Sequence, residues 1–389
     1  MAQSDLATTL QNRKLFQLIL EVARTGGPVL DLNGKGLDTL PPEIAQLTNL
    51  KWLELSNNQL TELPVKLFRL VKLAGLSLNA NQLTVIPSDL AHLTQLLRLE
   101  INDNALTALP AAIANLVRLQ RLEVRNNQLQ SVPDCAALRQ LQLLDLSNNR
   151  LTGLPPGLNE MHELLQVNLS GNLIERCQIA GLPFLDRLDL SRNPLSVLEL
   201  LDLPLLTQLN LSGTRIHERP LLLNGTPALQ RLSLISDHLM QLPPSVLDLS
   251  ALTWLDMSHN ALSDLPSELG QLQQLQRLNL SHNQLIRVPP ELAQLQALEW
   301  LDLSGNRLRE YPLELMALPK LQRLDLSYNQ LTQLPAELGQ LPQLQRLNVK
   351  GNQIQMIDPA MFNAPNLQRL DIQENPLKTL RLGNLRILI

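Results

Sequence analysis

The chain has very few aromatic residues, two cysteines and no long run of apolar residues. Aromatic residues make up 2% of its 389 positions, so aliphatic side chains, mainly leucine, must fill the core. This composition indicates one packing solution used repeatedly. No apolar run approaches the roughly 20 residues that a bilayer-spanning helix needs. A net charge of -4 gives no general attraction to nucleic acid or to acidic membranes.

The N-terminal segment and the cysteines indicate the cellular location of the protein. Polar and charged residues, among them Asp5 and Lys14, interrupt the N-terminal segment, which is therefore not a signal peptide. Cys135 and Cys177 are the only cysteines, and the sequence offers them no nearby partner. We expect two free thiols and a cytoplasmic protein.

One pattern, LxxLxLxxNxL, recurs sixteen times. Its ninth position falls at Lys35, Asn58, Asn81, Asn104, Asn127, Asn149, Asn172, Asn193, Thr214, Asp237, Asn260, Asn283, Asn306, Asn329, Asn352 and Asn375. The step between successive copies is 23 residues, apart from three slightly shorter steps. Sixteen copies in one register predict a stacked repeat architecture.

The spacing within one repeat predicts its structure. The LxL segment alternates, so its leucines point to one side of a short strand and the residues between them to the other. Each asparagine carries donor and acceptor atoms that can bond the backbone where the chain leaves the strand. The following LPxxLxxL predicts a short helical or extended segment, with proline fixing the bend. The fold class is therefore α/β, with a parallel sheet on one face.

The full repeat, as in LKWLELSNNQLTELPVKLFRLVK from Leu50 to Lys72, resembles the leucine-rich repeat of the 23-residue LPxxLxxL class. The chain is similar to intracellular Ras-associated scaffolds and to bacterial leucine-rich repeat proteins, some of them secreted effectors. The resemblance implies a curved solenoid with the strands on its concave face and protein recognition as its role. It also raises the alternative of delivery to a host cytosol.

The ends and the middle of the array depart from the pattern. Residues 1–26 predict an N-terminal capping helix, and residues 27–389 the solenoid, with a last incomplete unit at 376–389. The end at Ile389 is apolar, which leaves open a homodimer or a further domain there. Residues 173–240 are irregular: prolines are missing at Gln178 and Glu199, and the asparagine at Thr214 and Asp237. This stretch is either drift, a hinge or a second contact surface.

The third residue of each repeat should face solvent from the strand, and all three tryptophans are third residues: Trp52, Trp254 and Trp300. In the last repeats this third row continues with Arg277, Arg323, Arg346 and Arg369. The tryptophans either cover the strands or form a recognition surface, where exposed aromatics contribute much binding energy. Because adjacent strands are about 4.8 Å apart, we expect guanidinium groups to stack on the indoles.

The fifth residue of each repeat is mostly acidic, which gives a stripe beside the arginines. It includes Glu54, Glu100, Glu123, Asp145, Asp189, Asp256, Asp302, Asp325 and Asp371. The two stripes either neutralise each other or both face a partner. In either case the surface is nearly balanced, and a phosphate-binding groove needs an uncompensated basic surface. We therefore expect no nucleic acid partner.

The eighth position holds His259, His282 and Tyr328 in the same part of the chain. Two histidines lack the third ligand that zinc requires, so we expect no metal and no cofactor. The predicted partner-binding residues are Trp254, Arg277, Trp300, Arg323, Arg346, His259, His282, Tyr328 and Trp52.

The sequence contains no GxGxxG, P-loop, HExxH, GxSxG or kinase signature, and no catalytic residue is predicted. We expect a non-enzymatic module that binds a protein or peptide on its concave face. The alternative is the substrate-recognition arm of a larger signalling enzyme or effector, whose kinase, GTPase or ubiquitin-ligase domain this chain lacks.

Overall fold

The computed structural model describes residues 16–17, 19–218, 221–358, 361, 366–378 and 386–388. The chain divides into two compact bodies, an N-terminal body (Met1–Leu188) and a C-terminal body (Asp189–Ile389). The division falls inside a strand and within the stretch that the sequence marks as irregular. No helix in the described ranges has the length and apolarity that crossing a membrane requires.

Strands of three residues form the sheet of the N-terminal body, and each pairs in parallel with the next. These strands are β1 (Val29–Asp31), β2 (Trp52–Glu54), β3 (Gly75–Ser77), β4 (Arg98–Glu100), β5 (Arg121–Glu123), β6 (Leu143–Asp145) and β7 (Gln166–Asn168). Two further strands follow, β8 (Arg176–Ala180) and β9 (Arg187–Asp189).

The C-terminal body repeats this arrangement after β10 (Val197–Leu201). Its parallel strands are β11 (Gln208–Asn210), β12 (Arg231–Ser233), β13 (Trp254–Asp256), β14 (Arg277–Asn279), β15 (Trp300–Asp302), β16 (Arg323–Asp325), β17 (Arg346–Asn348), β18 (Arg369–Asp371) and β19 (Arg386–Leu388). Apart from β8, β10 and β19, every strand covers the third to fifth residues of one predicted repeat. The predicted register is confirmed.

Short 3-10 helices follow most LP pairs, on the side of each repeat away from its strand. They are Pro42–Gln46, Val65–Arg69, Ser88–His92, Ala111–Asn115, Leu158–Glu160, Ile216–Glu218, Ser267–Gln271, Pro290–Gln294, Leu313–Ala317 and Ala336–Gln340, with one α-helical turn at Pro244–Leu247. Proline precedes or opens most of them, because its fixed φ near -65° suits this turn. Most of these turns bury one aliphatic side chain, such as Leu292, Leu269 or Ile113.

The asparagine ladder forms as predicted. Asn306 Nδ2 donates to the carbonyl oxygens of Leu280, Leu303 and Ser304 at 2.9, 3.0 and 3.2 Å. Its Oδ1 accepts the N–H of Leu285, from the preceding repeat, at 3.0 Å. One buried amide therefore satisfies four backbone groups that no strand or helix pairs.

The residue before each ladder position has a left-handed backbone conformation. The structure describes this residue in all sixteen repeats, and its φ lies between 52° and 71° in each of them. Glycine adopts this conformation without strain, and asparagine tolerates it. The repeat turn therefore accepts the bulkier His259, His282 and Tyr328 only at a conformational cost, about 1 kcal/mol each.

The irregular stretch departs from the ladder and from the helical turns. At Gln178 and Glu199, where the repeat normally has proline, the chain forms the strands β8 and β10. These strands replace the short helical turn of the other repeats. At the ladder, Asp237 Oδ1 accepts the N–H of Thr214 at 2.6 Å and its hydroxyl at 3.0 Å. Asp237 Oδ2 is buried and has no hydrogen-bond partner. Burial raises the pKa of Asp237 to about 7.

The predicted cap is helical at residues 16–17 and 19–25, where Ile19 is fully buried. The remaining part of the predicted cap, residues 1–15, lies outside the described residues. At the other end, β19 pairs Ile387 with Leu370 of β18, while Leu385 and Ile389 also lie outside the described residues.

Candidate functional site

Alternation along the strands decides which side chains reach solvent. In β15 the leucine at the fourth position, Leu301, is fully buried, while its neighbours Trp300 and Asp302 are partly exposed. The third residues of the repeats, with partly exposed fifth residues such as Asp302 and Asp325, therefore form a solvent-facing surface, here called the open face. The seventh residues, such as Ser304 and Ser327, are buried. The N-terminal and C-terminal bodies each have one.

On the open face of the C-terminal body, the predicted row is continuous. The parallel pairing aligns Trp254 with Arg277, Arg277 with Trp300, Trp300 with Arg323, and Arg323 with Arg346. Neighbours in this row are separated by one strand spacing, about 4.8 Å. The structure thus brings together five of the predicted partner-binding residues.

Two adjoining cavities lie along this row. The first, the tryptophan cavity, has a volume of about 320 Å³ and is lined by Trp254, Arg277, Glu299, Trp300, Gln322 and Arg323. The second, the arginine cavity, has a volume of about 250 Å³, and its lining includes Trp300, Arg323, Asp325, Arg346, Asn348, Arg369 and Asp371. These volumes lie at or below the lower end of the range of about 300–1,000 Å³ that is typical of small-molecule sites.

The expected stacking of guanidinium groups on the indoles is wrong. Among the described residues, the cation–π contact lies at the edge of the row, with Lys350 Nζ 5.9 Å from the centre of the Tyr328 ring. Parallel pairing fixes the spacing between successive third-row side chains. It does not fix their rotamers, so it does not ensure that a guanidinium group stacks on an indole. Trp254 and Trp300 are therefore partly exposed, and among the described residues neither makes a cation–π contact with arginine.

Sequence reasoning left six of these lining residues out of the site: Glu299, Gln322, Asp325, Asn348, Arg369 and Asp371. Arg369 belongs to the same third row, so its position in the repeat was a sufficient signal. Glu299 and Gln322 are second-position residues, which the alternation does not assign to either face. The carbonyl of Gln276 accepts the N–H groups of both Glu299 and Trp300, at 2.8 and 3.0 Å. The side chains of Glu299 and Gln322 line the tryptophan cavity beside Trp300.

The acidic stripe neutralises the arginines in the N-terminal body. Arg98 pairs with Glu100, and Arg121 pairs with Glu123 and, at 3.7 Å, with Glu100. Glutamate is long enough to reach back along the strand to the arginine two residues before it. There the neutralising interpretation of the two stripes is correct.

In the C-terminal body the fifth residue is aspartate or asparagine, apart from Ser233 in β12, and the aspartates bond elsewhere. Asp325 Oδ1 accepts the N–H and hydroxyl of Ser327 at 2.9 and 2.6 Å, and its Oδ2 accepts Asn348 Nδ2 at 2.8 Å. The aspartate side chain is one methylene shorter than that of glutamate, so its carboxylate lies closer to the backbone. Within the described part of the chain, no carboxylate lies within 4.0 Å of a charged nitrogen of Arg277, Arg323, Arg346 or Arg369.

The floor of the site is partly shielded from water. Burial raises the pKa of Asp302, the fifth residue of β15, and the neighbouring carboxylate of Asp325 raises it further. Hydrogen bonds from Ser304 oppose these effects. The aspartates thus form a floor below the exposed guanidinium groups.

The predicted eighth-position residues line the exit of the strands. The rings of His259 and His282 are stacked, with centres 4.3 Å apart and planes 13° from parallel. A Cβ atom at Gly305 would lie 2.7 Å from His282 Nδ1, and one at Gly351 would lie 2.5 Å from the Tyr328 ring. The two glycines leave room for these rings to lie over the next repeat. The described residues include no group of three metal-binding side chains.

Trp52 belongs to the N-terminal body and has a different environment. Its ring lies against Gly75 in β3, where an added Cβ would be 2.0 Å from the indole. The indole is still 36% exposed. Trp52 therefore lies over its neighbouring strand, and it is still more exposed than Trp254 and Trp300. Its role in partner binding stays a prediction.

The two cysteines are free and buried. Burial raises the pKa of both thiols to about 12, and Asp134 adds to the effect at Cys135. We expect neither thiol to react measurably with dithionitrobenzoate at pH 8 within an hour in the folded protein. Both should react within minutes in 6 M guanidinium chloride. Rapid labelling of one thiol without denaturant would contradict the buried position of that cysteine.

The sequence matches the family described as Leucine rich repeat over residues 29–83, 71–129, 139–195, 227–285, 270–308, 285–331, 296–354 and 342–388. A leucine-rich repeat protein from Leptospira interrogans is 32% identical to it, with a TM-score of 0.73. The similarity covers 92% of this chain and 93% of that chain. The chain belongs to the leucine-rich repeat family.

Other solved structures are similar over most of this chain. YopM from Yersinia enterocolitica is 28% identical, with a TM-score of 0.64, over 93% of this chain and 82% of that chain. The plant peptide hormone receptor RGFR1, solved in complex with RGF2, is 27% identical, with a TM-score of 0.57. That similarity covers 87% of this chain and 61% of the receptor chain. No curated protein sequence matches the chain.

Proposed function

We propose that this protein is a non-enzymatic interaction module that binds a protein or peptide on the open face of its C-terminal body. The observation that carries the proposal is the third row of β13 to β17, where two tryptophans alternate with arginines beside two adjoining cavities. Tryptophan and arginine are enriched among the residues that dominate binding energy.

Three features of this surface support binding. First, Trp254 and Trp300 are partly exposed, and neither makes a cation–π contact among the described residues. Second, the strands beneath them are held by buried leucines and by the asparagine ladder, so the site is rigid and loses little entropy when a partner binds. Third, the plant receptor RGFR1, which has a similar fold, was solved with the peptide RGF2.

The location of the module is proposed on separate grounds. Both cysteines are free, so no disulfide stabilises the fold. A repeat array that is stable without disulfides suits a reducing compartment, and we propose that the protein works in the cytoplasm of its own cell or of a host cell.

Affinity capture tests the binding site. The immobilised protein is incubated with extract of the source cells, and bound proteins are quantified by mass spectrometry. Trp254→Ala combined with Trp300→Ala should reduce the amount of each specific partner at least tenfold, because both indoles line the tryptophan cavity. Trp52→Ala is the matched control: it removes an indole from the same row of the N-terminal body and should leave capture unchanged.

Thermal unfolding of each variant establishes that the fold is retained. The third-row side chains point away from the core, so their midpoints should lie within a few degrees of the unsubstituted protein. If the double variant is folded and captures the same proteins in the same amounts, the site is not on this surface. If Trp52→Ala reduces the capture of partners as much as the double variant does, the open face of the C-terminal body is not the specific binding site.

A further inference from the structure

We propose that the arginine cavity binds an acidic segment of the partner, with aspartate or glutamate side chains placed against Arg323, Arg346 and Arg369. This inference rests on the proposed function and specifies the chemistry of the partner. It starts from the contrast between the two bodies in how third-row arginines are paired.

The contrast depends on the length and the charge of the fifth residue. Arg98 and Arg121 are neutralised by glutamates on their own strands. Arg323, Arg346 and Arg369 are followed at the same position by Asp325, Asn348 and Asp371. These shorter side chains bond to the backbone, to serine or to asparagine, and no carboxylate lies within salt-bridge distance of the three guanidinium groups among the described residues.

Three unpaired guanidinium groups in a row repel one another. Parallel pairing aligns Arg323 with Arg346 and Arg346 with Arg369, at a strand spacing of about 4.8 Å. All three side chains are exposed at the open face. A carboxylate placed between two of them would relieve this repulsion and could accept two parallel N–H bonds from one guanidinium group.

The neighbouring surface favours a polypeptide as the source of these carboxylates. Trp300 and Arg323 line both cavities, so an extended chain that places an acidic residue in one can place an apolar residue in the other. Asp325 and Asp371 lie on the floor of the arginine cavity. A continuous phosphate backbone would meet these carboxylates, whereas isolated acidic side chains can avoid them.

A library of random decapeptides tests the inference without knowledge of the partner. Peptides are selected on the unsubstituted protein and on two variants, and the content of aspartate and glutamate is compared with that of the unselected library. The first variant combines Arg323→Gln, Arg346→Gln and Arg369→Gln. The second, a matched control, combines Arg98→Gln and Arg121→Gln, whose arginines are already paired in the N-terminal body.

We expect acidic residues to be enriched at least threefold in peptides selected by the unsubstituted protein and by the control. The enrichment should disappear with the triple variant. For one selected peptide, fluorescence anisotropy should show at least tenfold weaker binding to the triple variant and unchanged binding to the control. Affinity for the unsubstituted protein should fall between 50 and 300 mM NaCl, because salt screens exposed charges.

Each other outcome overturns the inference in a distinguishable way. The selected peptides could lack acidic residues and lose binding when Trp254 and Trp300 are replaced. That result would rule out an acidic partner and leave the proposed function intact. Failure to select any peptide that depends on either set of residues would count against both. A labelled single-stranded RNA decamer that binds more tightly than the selected peptides would replace the acidic peptide with nucleic acid.

Discussion

Replacing Asn306 with aspartate should destabilise the protein by about 3 kcal/mol at pH 8 and by much less at pH 4. The amide nitrogen of Asn306 donates to three carbonyl oxygens, those of Leu280, Leu303 and Ser304. A carboxylate oxygen in its place would face these oxygens with no proton between them, inside a site that is buried. Protonation at low pH restores one donor.

Urea unfolding followed by circular dichroism between pH 4 and pH 8 measures this effect. Gln353→Glu makes the same amide-to-carboxylate change at an exposed residue and should alter the free energy of unfolding by less than about 0.5 kcal/mol. A loss at Asn306 that is equally small at pH 8 would show that the ladder contributes little to stability.

The converse change, Asp237→Asn, should stabilise the protein by about 3 kcal/mol at pH 8 and have little effect at pH 4. Asp237 occupies a ladder position, and its Oδ2 is buried without a partner. An amide nitrogen there would be a donor at every pH, as it is in the other ladder asparagines.

The sign of the pH dependence follows from the direction of the pKa change. The pKa of Asp237 is raised from 3.8 to about 7 in the folded protein, so the folded state holds the proton more tightly than the unfolded state. The stability that this residue contributes is fully present below about pH 4 and is lost as the pH rises through about 7. With asparagine this loss disappears, and the stability of the variant should change less over the same range.

Thermal unfolding of both proteins at pH 4, 6 and 8 tests this prediction. The difference between their midpoints should widen with pH. Asp248→Asn, a change at an exposed aspartate of the same body, should give a difference that does not vary with pH. A constant difference for Asp237→Asn would mean that folding does not raise the pKa of Asp237.

Most of the fold could be predicted because the sequence of each repeat determines the local structure of that repeat. The alternation of LxL fixed which side chains are buried, and the asparagine and proline positions fixed the turns. At the irregular stretch the absence of proline was visible at Gln178 and Glu199, yet extended strands in their place could not be foreseen. A missing turn signal does not specify the conformation that replaces it.

The candidate site was predicted only in part. Position within the repeat placed Trp254, Arg277 and Trp300 on one surface, because parallel strands align equivalent residues. The same reasoning predicted stacking of arginine on tryptophan, and this was wrong because register fixes spacing but does not fix side-chain rotamers. The difference between glutamate and aspartate at the fifth position was present in the sequence, but its consequence for pairing depends on side-chain reach.

The amino-acid sequence by itself determined the repeat, the parallel register and the identity of the solvent-facing rows, since these depend on local periodicity and on backbone hydrogen bonding. Only the tertiary structure decided which charges are neutralised and what each indole contacts. Trp52 lies over Gly75, while Trp254 and Trp300 line a cavity. These outcomes depend on contacts between repeats, where a single methylene or a missing Cβ in the neighbouring strand changes what a side chain can reach.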